Sequence, residues 1–252
     1  LTEALTITPI RGLPMIQPGD DLAALIVEAI HNQGISLQDN DVLVITSKIV
    51  SKAEGKYVDL KSVTPREEAQ QLAQETHKDP RIVELVLQES VMVSRKAPGV
   101  LVTQHRLGFV SANAGIDQSN ISNSQEHVLL LPDDPDKSAQ ALRQAIKHAT
   151  SVDVGIVISD SHGRPFRLGN TGVAIGLAGL PALLDLRGNT DLFGRVLQAS
   201  ILAYADLIAS AAHLVSGEGA EGIPVVHIRG LSRMGDSRAS ELNRPPELDL
   251  YR

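Results

Sequence analysis

The sequence predicts a mixed α/β fold of the α+β class. Three observations lead there. Short alternating apolar runs, which suit half-buried strands, recur at irregular intervals between segments with helical spacing. The steady strand–helix alternation of a doubly wound fold is missing. Across 252 residues the hydrophobic share is 42% but the aromatic share only 2%, so Val, Ile, Leu and Ala must fill the core.

The elements follow in order. "LTITPI" is a short strand, followed by a loop. Asp20 or Asp21 caps the next helix, which carries Leu22, Leu25, Ile26 and Ile30 at helical spacing. Residues 41–55, "DVLVITSKIVSKAEG", read as a buried strand running into a polar loop. In "TPREEAQQLAQETHK", Thr64 is the predicted N-cap, Pro65 the first turn and Glu67 the closing residue of a capping box. Asp79 and Pro80 repeat the cap-plus-proline signal. Strands around 100–102 and 109–112 are placed to pair. Asp134 and Pro135 open a helix to about His148. "VDVGIVISD" is a buried strand delivering Asp160 at its end, and a Gly-rich stretch follows. The apolar spacing over residues 191–215 predicts one long helix, "IPVVHIRGL" a last strand, and the polar tail from 233 onward a peripheral segment.

Composition excludes several functions. There is no Cys, so no disulfide framework and no thiolate chemistry. A net charge of -7 with few aromatics argues against a nucleic-acid partner, which calls for a basic face and stacking rings. The uncharged run 168–184 is broken by four glycines and Pro181 and is shorter than the roughly 20 residues of a membrane helix. No secretory leader opens the chain, so the expectation is a cytoplasmic protein without a membrane partner. Walker A, nucleophile-elbow and zincin patterns are absent.

Chemistry concentrates in three acids beside glycines or small residues: Asp117 in "NAGIDQSN", Asp160 in "ISDSHGR" and Glu218 in "SGEGAEG". Carboxylates suit hard divalent cations, and neighbouring glycines let backbone N–H groups approach phosphate. Taken singly, each acid reads first as a turn or cap residue and only second as a ligand. A basic set accompanies them. Lys48 and Lys52 follow an early strand, and Arg164 and Arg167 follow Asp160 in "HGRPFRLG". Lysine and arginine suit phosphate and carboxylate, and they also suit solvated loops.

In their order and spacing, "RGLPMIQPGDDL", "DVLVITSKIVSKAEG", "NAGIDQSN", "LLPDDPDKSA", "ISDSHGRPFRLGNTGVAIG", "DLFGR" and "SGEGAEGIPVVHIRGL" resemble the coenzyme F-420-0: L-glutamate ligase (gamma-glutamyl ligase) family over nearly the whole chain. The resemblance implies an unusual fold of mixed sheets with flanking helices, in an intertwined homodimer. It also implies a GTP-dependent enzyme that activates the carboxylate of coenzyme F-420-0 as an acyl phosphate and joins L-glutamate through a gamma linkage. Mg²⁺ or Mn²⁺, two ions, and K⁺ are the implied cations. Asp117, Asp160, Ser161 and Glu218 fall on metal positions; Asp117, Asp160 and Glu218 form the expected catalytic set together with Arg164, which the basic set supplies. Arg11, Gly12, Leu13 and Pro14 fall on a nucleotide loop, as do Ser47, Lys48, Lys52 and Asn120, and Ser216, Gly217, Gly219 and Gly222. Ser161 and His162 stand where the family often has Thr and a small or aromatic residue, which leaves the role of His162 open. The expected organisation is one ligase unit over residues 1–252, or two intertwined subdomains, without the flavin-binding nitroreductase-like domain of some relatives. Two other readings stand beside it. One is a metal-dependent nucleotide hydrolase or phosphotransferase acting on another carboxylate. The other is a non-catalytic nucleotide- or deazaflavin-binding protein.

Overall fold

The computed structural model describes residues 4–121, 125–231 and 234–249. The chain runs β1 (Thr6–Ile10), α1 (Leu22–Asn32), β2 (Val42–Thr46), α2 (Ser47–Ala53), β3 (Tyr57–Asp59), α3 (Glu67–Thr76), α4 (Pro80–Gln88), β4 (Ser90–Ala97), β5 (Val100–His105) and β6 (Val110–Ala112). It continues through β7 (His127–Leu129), α5 (Pro135–Thr150), β8 (Gly155–Arg164), β9 (Arg167–Ala178), β10 (Leu184–Asp185), β11 (Ile201–Leu202), α6 (Tyr204–Ser216) and β12 (Val225–Arg229). Helices and sheets are mixed, as the sequence predicts.

A five-stranded sheet in the order β1-β12-β2-β8-β9 organises the chain. Only β2 and β8 are parallel neighbours; the other pairs are antiparallel. Alternation along the strands splits the apolar residues between two faces. Leu43, Ile45, Ile156 and Ile158 meet α1 and α5 on one face, while Val42, Val44, Val157 and Ile228 meet α6 on the other. Each fully buried Ile or Leu contributes about 1.5–3 kcal/mol, and branched aliphatics stand in for the scarce aromatics. A three-stranded sheet, β4-β5-β6, packs with α3 and α4, and β3 pairs with β7.

Strand β9 is an edge, and its free backbone donors are capped. The Asp206 carboxylate accepts from the Ala174 N–H at 2.9 Å, and Asp136 accepts from the Leu177 N–H at 2.8 Å. Burial pushes both carboxyls above their ordinary value. The edge is therefore closed to a further strand at these positions. Gly172 and Gly176 let the helices lie against this strand. A Cβ would sit 2.5 Å from the Ala209 carbonyl oxygen at the first and 2.5 Å from that of Pro135 at the second.

Five expectations need correction. Residues 47–53 form α2, not a polar loop, because Ile49 and Val50 bury on the core while Lys48 and Lys52 share the other face one turn apart. Helix α3 starts later than the capping-box reading: Arg66 is its N-cap, without a side-chain cap bond, and the Arg66 N–H instead donates to Glu84. The Gly-rich stretch after Asp160 is strand β9, and β8 runs on through Asp160 to Arg164. The long helix over 191–215 is shorter, beginning only at Tyr204. Gly194 has φ +80°, and the Asp191 carboxylate accepts from the N–H groups of Phe193 and Arg195, a local alternative to helical bonding. The tail is more than peripheral. Ala239 is buried against the α6 side of the sheet, and Asn243 Nδ2 donates to the Leu107 carbonyl at 2.9 Å. Arg233 and residues 250–252 of that tail lie outside the described residues.

Candidate active site

One end of the main sheet gathers the segments that the sequence singled out. Ile10 pairs with Val225, Val225 with Ile45, and Ile45 with Ile158. Beyond that row β1 leads into Arg11–Pro14, β2 into Ser47, and β8 into Asp160; β12 is entered from the loop carrying Glu218. Three strands thus point their carboxyl ends the same way, and the fourth segment arrives antiparallel. Long-range topology, not local sequence, makes these four neighbours.

Helix α2 ties the site together. Ser47 Oγ donates to Asp160 Oδ1 at 3.2 Å. One residue on, Lys48 Nζ lies 2.8 Å from Asp117 Oδ2 and donates to Ser119 Oγ at 2.7 Å. Lys52, buried one turn later, donates to the Asn120 carbonyl at 2.8 Å. Burial and then the nearby Lys48 push the Lys52 ammonium below its ordinary value, against the pull of Asp117. Such a lysine has little water to lose when it meets phosphate.

The loop from Asn113 to Asn120 is shaped by left-handed backbone. Asn113, Ala114 and Gly115 have φ of 52°, 53° and 67°, and Asn120 has 54°. Left-handed geometry at an alanine is unfavourable by about 1–2 kcal/mol; the buried Ala114 methyl, packed with Ala73 and Leu101, offsets it. The turn brings Gly115 against the segment that follows β7: a Cβ there would meet Leu131 Cδ1 at 2.7 Å and Asp160 Oδ2 at 3.6 Å. Asp117 also accepts from the Ser119 N–H at 2.7 Å, and its backbone exchanges bonds with Leu129. Asn120 Nδ2 reaches the Gly219 carbonyl at 3.2 Å, linking this loop to the Glu218 loop.

The remaining candidates are placed as follows. Glu218 is held by Asn170 Nδ2, 3.2 Å from each carboxylate oxygen, and by His213 Nε2 at 3.1 Å. Ser216 ends α6, Gly217 (φ +67°) caps it, and Gly222 also has φ +67°. The Gly219 N–H donates to Glu221. Arg11 is exposed with its N–H on Gln33 Oε1, Gly12 turns at φ +86°, Leu13 packs on the core and Pro14 is exposed. Ser161 is exposed and, by strand alternation, faces away from Asp160 and His162. Arg164 sits at the exposed β8–β9 hairpin, its Nη2 3.4 Å from the Leu168 carbonyl.

Asp117 and Asp160 are brought close through Ser47, Lys48 and Gly115. Among the described residues no three Asp, Glu or His side chains are grouped to hold a metal. The donor chemistry still fits Mg²⁺ or Mn²⁺, because Mg²⁺ is commonly held by one or two carboxylates with substrate phosphates completing the shell. His213 and Asn170 escaped sequence reading, since the partner of Asn170 lies 48 residues away. His162 is 8% exposed, its Nε2 3.0 Å from Asp160 Oδ2, and its ring leans on Phe109 with centroids 4.9 Å apart.

A family model described as F420-0:Gamma-glutamyl ligase matches residues 11–230. The coenzyme F420:L-glutamate ligase of Methanopyrus kandleri is 44% identical, with 98% of each chain covered. That of Methanothermobacter thermautotrophicus is 42% identical over 98% of this chain and 99% of its own. That of Archaeoglobus fulgidus is 42% identical over 97% and 95%. With a shared pattern spanning essentially the full length of these relatives, the chain belongs to the F420-0:gamma-glutamyl ligase family.

Proposed function

We propose that the chain is a GTP-dependent ligase that adds L-glutamate, gamma-linked, to coenzyme F-420-0 through an acyl phosphate. The observation that carries this reading is the gathering of two carboxylates and two lysines at one sheet end: Asp117 pairs with Lys48, Asp160 accepts from Ser47, and the buried Lys52 bonds the Asn120 carbonyl.

The substrate carboxylate oxygen attacks the γ-phosphorus and GDP leaves. The glutamate nitrogen then attacks the acyl carbon, phosphate leaves, and the amine gives up its proton. Such chemistry rests on positioning and charge neutralisation. Bound Mg²⁺ or Mn²⁺ would draw charge from the phosphate oxygens. Asp117 and Asp160 would hold it, Ser47 would orient Asp160, and Lys52 with the Asn120 loop would receive phosphate. K⁺ is proposed as the accompanying monovalent cation.

A homodimer is part of the same proposal. Leu192 and Phe193 on the arm between β10 and β11, and Leu168 on the β8–β9 hairpin, are almost wholly exposed, and a second copy would cover them.

The test incubates the protein with coenzyme F-420-0, L-glutamate, Mn²⁺, K⁺ and either GTP or ATP, and reads products by mass. Glutamyl mass increments with GTP support the reading. Nucleotide hydrolysis without them points instead to a hydrolase or phosphotransferase, and neither activity points to a binding protein.

A further inference from the structure

A cavity of about 280 Å³ lies between edge strand β9, the turn at Leu107–Val110 and the tail segment from Ala239 to Arg244. It is distinct from the lysine–carboxylate cluster but shares a wall with it, because His162 lines the cavity while its Nε2 holds Asp160 at 3.0 Å.

The charged lining is Asp206, Arg244 and Asp249, the last of which has a partner of its own. Asp206 commits Oδ1 to the Ala174 N–H; its second oxygen has no hydrogen-bond partner among the described residues. Burial pushes this carboxyl up, opposed by its Ala174 bond and by His162. Arg244 is exposed and has no ion pair among the described residues. Its neighbour Asn243 is anchored to the Leu107 carbonyl at 2.9 Å, which fixes this part of the tail at the cavity. Phe109, Val173 and Ile175 supply apolar wall. A carboxylate, a guanidinium and apolar surface suit a small zwitterion with a methylene stem. The volume lies just below the range for organic ligands, about 300–1,000 Å³, and suits a small molecule.

We propose that this cavity is the subsite for the amino-acid co-substrate, its ammonium group on Asp206 and a carboxylate on Arg244. Its identification with L-glutamate rests on the ligase reading above. The amine would then lie beside His162, one side chain from Asp160.

The test uses the full chain and the variants Arg244→Gln and Asp206→Asn, the latter keeping an acceptor for the Ala174 N–H. With GTP and coenzyme F-420-0 saturating, each variant is expected to raise KM for L-glutamate about tenfold, the loss of one charged contact, with KM for GTP unchanged. An unchanged KM for L-glutamate in both variants overturns the proposal. So does an equal rise in both KM values. If the wild-type chain ligates nothing, the ligase reading fails separately, and calorimetric titration with L-glutamate decides the subsite. Saturable binding that Arg244→Gln weakens supports it; no binding, or equal binding, overturns it.

Discussion

The two ends of the main sheet use the same chemistry for opposite purposes. At one end Asp41 is 2% exposed and fully enclosed. Arg229 holds it with bonds of 2.8 and 2.6 Å, His227 Nε2 lies 2.8 Å away, and the Gln38 N–H donates at 2.8 Å. At the other end Asp117 meets Lys48 with 32% and 25% of the two side chains exposed, on a loop held in left-handed turns. The first carboxylate is saturated by its own fold. The second keeps access to solvent and can exchange partners. An acid–base pair is a lock where the fold closes around it and a candidate binding site where the fold leaves it open.

The largest expected effect separates the two roles. Asp160→Ala should lower ligation on the order of 10³-fold, as when a charge-stabilising group is removed, while the thermal midpoint stays near wild type. A variant retaining full activity would remove Asp160 from the mechanism. Asp41→Asn should do the reverse: a loss of about 3 kcal/mol, the lower part of the range for breaking a buried ion pair, with activity per folded molecule kept. Urea unfolding checks it, and a loss below about 1 kcal/mol would make the closed end no more of a lock than a surface pair.

The pH dependence sharpens the same contrast. Burial alone would raise the Asp41 carboxyl, but Arg229, His227 and the Gln38 N–H outweigh it and lower it from 3.8 to about 2. A depressed acid stabilises the fold fully above its unfolded value and loses that contribution as pH falls through the folded one. About 2 kcal/mol of the difference between wild type and Asp41→Asn should therefore fade between about pH 4 and pH 2. A difference that stays constant over that window contradicts the assignment.

Gly176, between the two ends, calibrates both. A Cβ 2.5 Å from the Pro135 carbonyl oxygen should push α5 off the strand, so Gly176→Ala should destabilise by about 2 kcal/mol, read by urea midpoint. The smallest effect is expected from Ser119→Ala, which removes one acceptor from Lys48 but leaves the Ser119 N–H on Asp117. Ligation should fall only about threefold; a loss as large as that of Asp160→Ala would mean that Ser119 itself holds a ligand.

Local sequence determined a good deal of this. Asp21, Asp79 and Asp134 each bond a backbone N–H in the first turn of their helices, because capping needs only neighbours in the chain. The buried strands β2, β8 and β12 were legible from their apolar runs, and the order of motifs carried the family. Where sequence reading failed, a distant partner decided. Ser47–Ala53 is helical because its apolar face meets the core, and Asp191 competes with the helix that spacing alone favoured. Whether Asp117 and Asp160 become neighbours depends on pairings that bring β2 beside β8 and on a turn that presses Gly115 toward Asp160. Glu218 carries the same kind of local signal, and its partners His213 and Asn170 are likewise set by tertiary contacts. Capping and periodicity are short-range and are written along the chain. The contact across 113 residues, from Ser47 to Asp160, is set by sheet order and loop shape, which only the folded chain possesses.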